Sequence, residues 1–510
     1  MRALVVLTAV ALAGCVPGRR VAGDTWATVG GEALREPEEA PALEGGEHAL
    51  SLEEATVRAL ERSPELAVRR LDPAIAGAFE TIARGEFGVT VYADGQARQE
   101  QTQETNRATM MQFRADGSRI DATAGARVRT PTGTEIDTSL GYRRDESNRS
   151  PEQQEARIGL TVTQSLLRGI DPDANLAAVR QAELETEASR HQLQAFVTAL
   201  LLELETGYWQ LALATRSLAI HEQSLQLAEQ QAEALAARIE VGDAAPADAP
   251  VVRAQVALRR QALIDARADV EQWRLRLGRL LRLDPESSTL AAIDEIAIEP
   301  RPVEDPAAHR ELAMRLRPDL LEARARLAQR RLDTVVTGNG LLPRLDLFVQ
   351  LTKTGFGSSF GDAVRGMGEP TYELMVGLSF EQLLGNDVAA ATDRRAHFRR
   401  EQAERAVANL ESLVRLDVSL ALNEIQRAHA QIDASRETAR LQAQVVEAER
   451  ERLAVGESTA LLVAQTERDL VEARVAEVEA LVAYRVALVR LWAAEGSLLE
   501  RRAVDLRPED

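Results

Sequence analysis

The chain of 510 residues is short of several things that most proteins its size carry. It has one cysteine, which excludes an intrachain disulfide and a thiolate metal cluster. It has no surplus of positive charge: 61 Lys and Arg against 80 Asp and Glu leave a net charge of −19, so a nucleic-acid partner, whose phosphates need clustered cations, is excluded. Aromatics make up 4%, too few for the cores of ordinary globular domains, while Ala, Leu, Glu and Arg abound; that bias predicts long helices packed through small side chains. Beyond the N-terminus no run of 18 apolar residues occurs, which excludes a helical membrane span and leaves a closed barrel of strands as the one way to cross lipid.

At the N-terminus, Met1-Arg2 precedes an apolar stretch from Ala3 to Ala13, the pattern of an export signal over 1–14. The single cysteine, Cys15, follows Leu12-Ala13-Gly14 directly, an arrangement that resembles the bacterial lipobox, in which the thiol receives a diacylglycerol. That resemblance implies a lipid-anchored N-terminus, and Val16, where an aspartate would retain the protein in the inner membrane, implies the outer membrane. Residues 15–48 then read as a lipidated tether rich in Pro, Gly and Glu.

The rest of the chain repeats one plan. An apolar residue recurs every seventh position from Val197 through Leu204, Leu211, Leu218, Leu225, Ala232 and Ile239, and again as Val418, Ile425, Ile432, Ala439, Val446 and Leu453. From Leu204 onward the two series are offset by 214 throughout, as are Gly242 and Gly456, which follow the periodic stretches where a helix stop is expected. Helices over 173–241 and 388–455 would each run about 100 Å at 1.5 Å per residue. Ahead of them come strand-like segments: 88–92, 127–129, 135–142 and 157–163 in the first half, Leu345–Leu351 and Tyr372–Phe380 in the second. Ahead of those, 51–71 and 308–336 read as helices. Two units result, 49–300 and 301–500, with a polar tail over 501–510.

Ser63-Pro64-Glu65-Leu66, the stretch Thr163 to Gly169, Arg238 to Gly242 with Asp248, Arg317-Pro318-Asp319-Leu320, Leu342-Pro343-Arg344-Leu345, Arg452 to Gly456, and Arg468-Asp469-Leu470 leading to Tyr484 and Leu488 resemble the TolC-like outer-membrane efflux family. The resemblance spans about 49–500. It implies a mainly α fold with a β-barrel part, in which each of three protomers gives four strands to a 12-stranded outer-membrane barrel and long coiled-coil helices to a periplasmic α-barrel. It also implies a homotrimer in outer-membrane lipid that docks to a periplasmic adaptor and an inner-membrane transporter, and so serves as the duct of a tripartite efflux or type I secretion system. The helix tips Arg238, Val241, Gly242, Arg452, Val455 and Gly456 are then the candidate adaptor contacts, although the glycines also serve simply to stop helices. Asp248 reads either as an acid at the tunnel mouth or as a helix N-cap. The competing class is a lipid-anchored periplasmic coiled-coil scaffold or adaptor.

The first half departs from this pattern in having more strand-like sequence between Ala93 and Arg157 than two strands require. Leu462 stands where the second half would carry the counterpart of Asp248. Tyr92, Tyr142, Phe348, Tyr372 and Phe380 are the candidates for a sparse aromatic girdle. The glycine-rich run Gly355 to Gly361 lacks the Lys-Ser or Lys-Thr of a phosphate loop and reads as a hairpin tip with no helix after it. His48, His191, His221, His309, His397 and His429 have no metal-binding spacing, and no nucleophile motif is present; neither enzyme activity nor a metal or other cofactor is expected.

Overall fold

The computed structural model describes residues 46–105, 110–148, 150–242, 245–283, 288–296 and 305–506. The expected signal peptide, Cys15, nearly all of the tether and the last four residues of the polar tail lie outside them. The first half runs through β1 (Gly46–Leu50), α1 (Leu52–Arg62), α2 (Pro64–Arg69) and α3 (Leu71–Arg84), then β2 (Thr90–Thr105), β3 (Gln112–Arg129), β4 (Thr134–Ser147) and β5 (Ser150–Ser165). It continues with α4 (Pro172–Asn175), α5 (Ala177–Glu240), α6 (Ala249–Leu281) and β6 (Ser288–Ala292). The second half comprises α7 (Pro306–Leu316), α8 (Pro318–Gly340), β7 (Arg344–Gly357), α9 (Phe360–Gly366), β8 (Glu373–Glu381), α10 (Asp387–Ala454), α11 (Ala460–Glu495) and α12 (Leu498–Arg501).

Several single helices expected from periodicity are broken, and proline is the common reason. Pro64 has no N–H to donate and disfavours helical geometry in the residue before it, so Ser63 leaves α1 and caps α2 by accepting from the Leu66 N–H. Arg317 and Pro318 separate α7 from α8 in the same way. The first long rod starts with the separate turn α4, because the Asn175 amide donates to the Pro131 and Gly169 carbonyls at 2.7 Å and fixes the chain entry. The rods themselves, 64 and 68 residues, span about 96 and 102 Å.

The sheet corrects the expectation of four strands. It has six, in the order β2-β3-β4-β5-β7-β8 and antiparallel throughout. Paired residues share a face and neighbours along a strand alternate. The row Val91–Ala126–Thr138–Leu160–Leu351–Leu374 therefore crosses all six strands on one face, which is apolar. The adjacent row, Thr90–Arg127–Asp137–Thr161–Gln350–Met375, lies on the other, polar face. Cross-strand ion pairs brace that polar face: Arg119–Asp145 at 2.6 Å, Arg143–Asp121 at 2.6 Å and Arg127–Asp137 at 2.9 Å. The candidate girdle divides between the faces. Tyr142 and Phe380 stand in apolar rows, whereas Tyr92 and Phe348 stand in polar ones, each ring covering a glycine of the next strand, Gly125 and Gly377, where a Cβ would lie within 2.5 Å of ring atoms. After Gly357 the chain does form a helix, α9, which packs so closely on β7 that a Cβ on Gly355 would meet the Ala363 carbonyl at 2.0 Å.

At mid-height the parallel pair β1–β6 and the helices α1, α7 and α12 surround the rods, and the largest buried side chains gather there, including Tyr208, Leu204, Leu211, Leu281 and Leu498. Tyr208 donates to Asp294 at 2.8 Å, and burial pushes its phenol pKa up. Buried Glu205 accepts from Arg502 through both oxygens, which fastens the C-terminal segment to α5. Between this waist and the sheet, α3, α5, α8 and α10 lie side by side; on the far side of it, α6, α5, α11 and α10 do.

Candidate functional site

The far ends of the rods carry the sequence-predicted tips. Val241 caps α5 and Val455 caps α10, and each is followed by a glycine in the left-handed region, Gly242 at φ +79° and Gly456 at φ +82°. Nothing lies within 4 Å of where a Cβ would sit on either glycine, so the backbone angle alone demands glycine there. The Gly242 N–H donates to the Ile239 carbonyl and the Gly456 N–H to that of Leu453, both at 3.1 Å. The two valines stand out in solvent, Val241 at 79% and Val455 at 72% exposure, as the outermost apolar groups of the two turns.

Past the glycines the turns differ. In the second, the Glu457 N–H reaches the Arg452 carbonyl at 2.8 Å, and Thr459 caps α11 by accepting from the Leu462 N–H. Buried Glu449 accepts from both Arg452 and Ser458, so Arg452 is held against its own rod. In the first, Pro246–Asp248 form a single 3-10 turn before α6. Asp248 occupies the N-cap position with helical backbone angles and makes no side-chain cap bond, which removes capping as its role.

Sequence reading missed a cluster about two to three helical turns in from the tips. The carboxylate of Glu467 on α11, 3% exposed, accepts from Arg450 on α10 at 2.6 Å, Gln231 on α5 at 2.7 Å and Arg259 on α6 at 3.2 Å. Arg259 continues to the Ser224 carbonyl at 3.0 Å and hydroxyl at 2.9 Å. One buried acid thus ties together both rods and the two helices, α6 and α11, that run back beside them, with two guanidiniums meeting the cost of its desolvation. The signal was present in the sequence: Glu467 falls three and four residues after Ala464 and Val463, a carboxylate on an apolar helix stripe.

The sequence model of the outer membrane efflux protein family matches residues 101–281 and 310–497, most of the chain and both of its halves. The chain belongs to the outer membrane efflux protein family. A curated member similar to it, the outer membrane efflux protein BepC of Brucella suis biovar 1, is 24% identical over 377 residues, covering 74% of this chain and 79% of that one. Among solved structures, the outer-membrane channel OprN superposes with a TM-score of 0.64 at 18% identity, over 88% of this chain and 90% of its own. The CmeC outer membrane channel of Campylobacter jejuni gives 0.61 at 14% identity over 88% and 86%. The open-state MtrE channel of Neisseria gonorrhoeae gives 0.61 at 17% identity over 88% and 89%. The chain is thus an outer-membrane efflux channel whose rods extend into the periplasm, and the scaffold alternative is not favoured: the strands of both halves share one two-faced sheet instead of forming a small separate β domain.

Proposed function

We propose that three copies of the chain form a passive duct, with the sheet as its wall in the outer membrane and the rods as a periplasmic tunnel. The observation that carries this reading is the continuity of a sheet with one apolar and one polar face into rods about 100 Å long, an arrangement a packed domain has no use for. Copies would join head to tail, since the free edges β2, α3 and α6 all belong to the first half and the free edges β8 and α10 to the second. Exposed Leu71, Ile75, Phe79 and Ile82 on α3 and exposed Phe398, Leu416 and Leu420 on α10 supply apolar surface to such a joint. Cys15, lipidated, would hold the tether to the membrane.

In this reading the turns around Arg238, Val241, Gly242, Arg452, Val455 and Gly456 meet the periplasmic adaptor, and an inner-membrane transporter supplies energy and selectivity. Three uncapped copies of Asp248 would add an acidic ring at the tunnel mouth. The duct needs no cofactor and no catalytic residue. Reconstituted in planar bilayers, the protein should conduct ions, and Glu467→Gln should conduct more because it frees the rods near the mouth. Silence from both would sink the duct. Crosslinking from Val241→Cys and Val455→Cys in cells should capture one adaptor protein at both turns.

A further inference from the structure

We infer that the membrane wall is a barrel of eighteen strands, three sets of six, in which β8 of one copy pairs with β2 of the next. The inference rests on the trimeric duct proposed above and specifies its wall. A twelve-strand wall would have to leave out the first hairpin, β2–β3, and pair β8 with β4. The structure opposes that at β3–β4, which are in register from Gly117 to Arg129 without a bulge and bridged on the polar face by Arg119–Asp145 and Arg143–Asp121. The hairpin also carries the same two faces as the strands beside it. Val91, Ala93 and Ala97 continue the apolar face, while Asp94, Gln96 and Arg98 continue the polar one, where the Tyr92 hydroxyl donates to Asp137 of β4 at 2.9 Å. A hairpin lying outside the wall would have no use for a lipid-compatible face in register with its neighbours.

The apolar band also slides along the strands as a closed barrel requires. It ends at Leu374 on β8 and Leu351 on β7, but on β2 it continues to Ala97, which stands in the row of Gly357, six residues further toward the tip than Leu351. Strands tilted in a barrel have this stagger, because a level bilayer cuts each one at a different residue. At each free edge the unpaired backbone groups would face lipid unless another strand covered them, and β2 and β8 run antiparallel, so a second copy supplies the missing partner. Barrel diameter grows in proportion to strand number, so the outer mouth would be about half again as wide as one built from twelve strands, and lined by the Arg and Asp rows of the polar face.

The test is a cysteine pairing scan in membranes. Val376→Cys on β8 is combined in one chain with Val91→Cys, Ala93→Cys or Ala97→Cys on β2, or with Ile136→Cys, Thr138→Cys or Leu140→Cys on β4. Val376→Cys alone serves as control for Cys15. Oxidation should give covalent dimers and trimers through at least one β2 position and through none on β4. Linkage through β4, or through neither strand in a protein that still conducts, overturns the eighteen-strand wall and leaves the duct intact. Absent linkage together with absent conductance removes both. A cryo-EM map supplies a second readout, with eighteen strands expected and twelve overturning the inference.

Discussion

The two turns at the ends of the rods have the same glycine geometry and different anchoring. The second turn is held from within: Thr459 caps the helix it starts, Glu449 grips Arg452 and Ser458, and the apolar seam above it, Val418 through Val446, is buried at every seventh residue. The first has no side-chain cap on α6, and the lower part of its seam, from Leu218 to Ile239, is only half-buried. Near its tip the first hairpin is held by its own Arg260–Glu229 pair at 2.6 Å and, from the other half of the chain, by buried Glu467. In the duct proposed above such an asymmetry would let one hairpin move at this end while the other keeps its shape.

The largest effect should come from cutting that link. Glu467→Gln loses the carboxylate that Arg450, Arg259 and Gln231 share and leaves buried Arg259 without its counter-charge, a loss of about 3–5 kcal/mol. Hydrogen exchange should rise far more over 222–281 than over 440–470. Equal rises in both hairpins would remove the asymmetry.

Smaller effects should separate the turns from each other. Gly242→Ala and Gly456→Ala should each cost about 1–2 kcal/mol, and by similar amounts, since only the left-handed backbone angle is at stake in both. The caps should not match. Thr459→Ala should cost about 1 kcal/mol, while Asp248→Ala should change stability by no more than a few tenths. Thermal unfolding of the four variants checks both statements, and a large loss from Asp248→Ala would mean that its carboxylate has a structural partner.

Much of this was legible in the residues. Sevenfold apolar spacing located both rods to within a few residues, and the shared glycines located the turns, because helix periodicity and a positive φ leave direct marks on sequence. Of the first hairpin of the sheet only the ends, 88–92 and 127–129, read as strands, and the surplus strand-like sequence after Ala93 was not resolved into β2 and β3. The hairpin's polar face includes Gln, Glu, Arg and Asp and the apolar stretch of its other face is mostly Ala and Gly, so much of it has alternation without the β-branched and aromatic side chains that announce a strand. The helix after Gly357 was hidden for another reason: glycines that look like a loose tip are required by the close approach of α9 to β7. The Glu467 cluster involves residues 236 positions apart, and pairing over that distance is fixed by the fold and not by any local pattern.

The smallest expected effect compares equivalent positions on the two rods. His221 on α5 corresponds, by the 214-residue offset, to Ser435 on α10, which is buried and donates to the Ile432 carbonyl. Burial pulls the His221 pKa below its ordinary value, so the folded rod keeps the imidazole neutral where the unfolded chain would protonate it. As pH falls through about 6.5, the unfolded state takes up a proton that the folded state refuses. Stability contributed at this position therefore declines on acidification and levels off once the pH passes below the folded pKa. The carboxylates held below their usual range by arginine partners, Glu271, Glu424 and Glu437, act in a separate window, losing their contribution only below about pH 4.5. Urea unfolding at pH 7.5 and 5.5 should show His221→Gln losing less stability than the parent between the two values, while Ser435→Ala should leave the pH dependence unchanged. A parent and a His221→Gln variant with the same pH dependence would place the acid sensitivity of the first rod elsewhere.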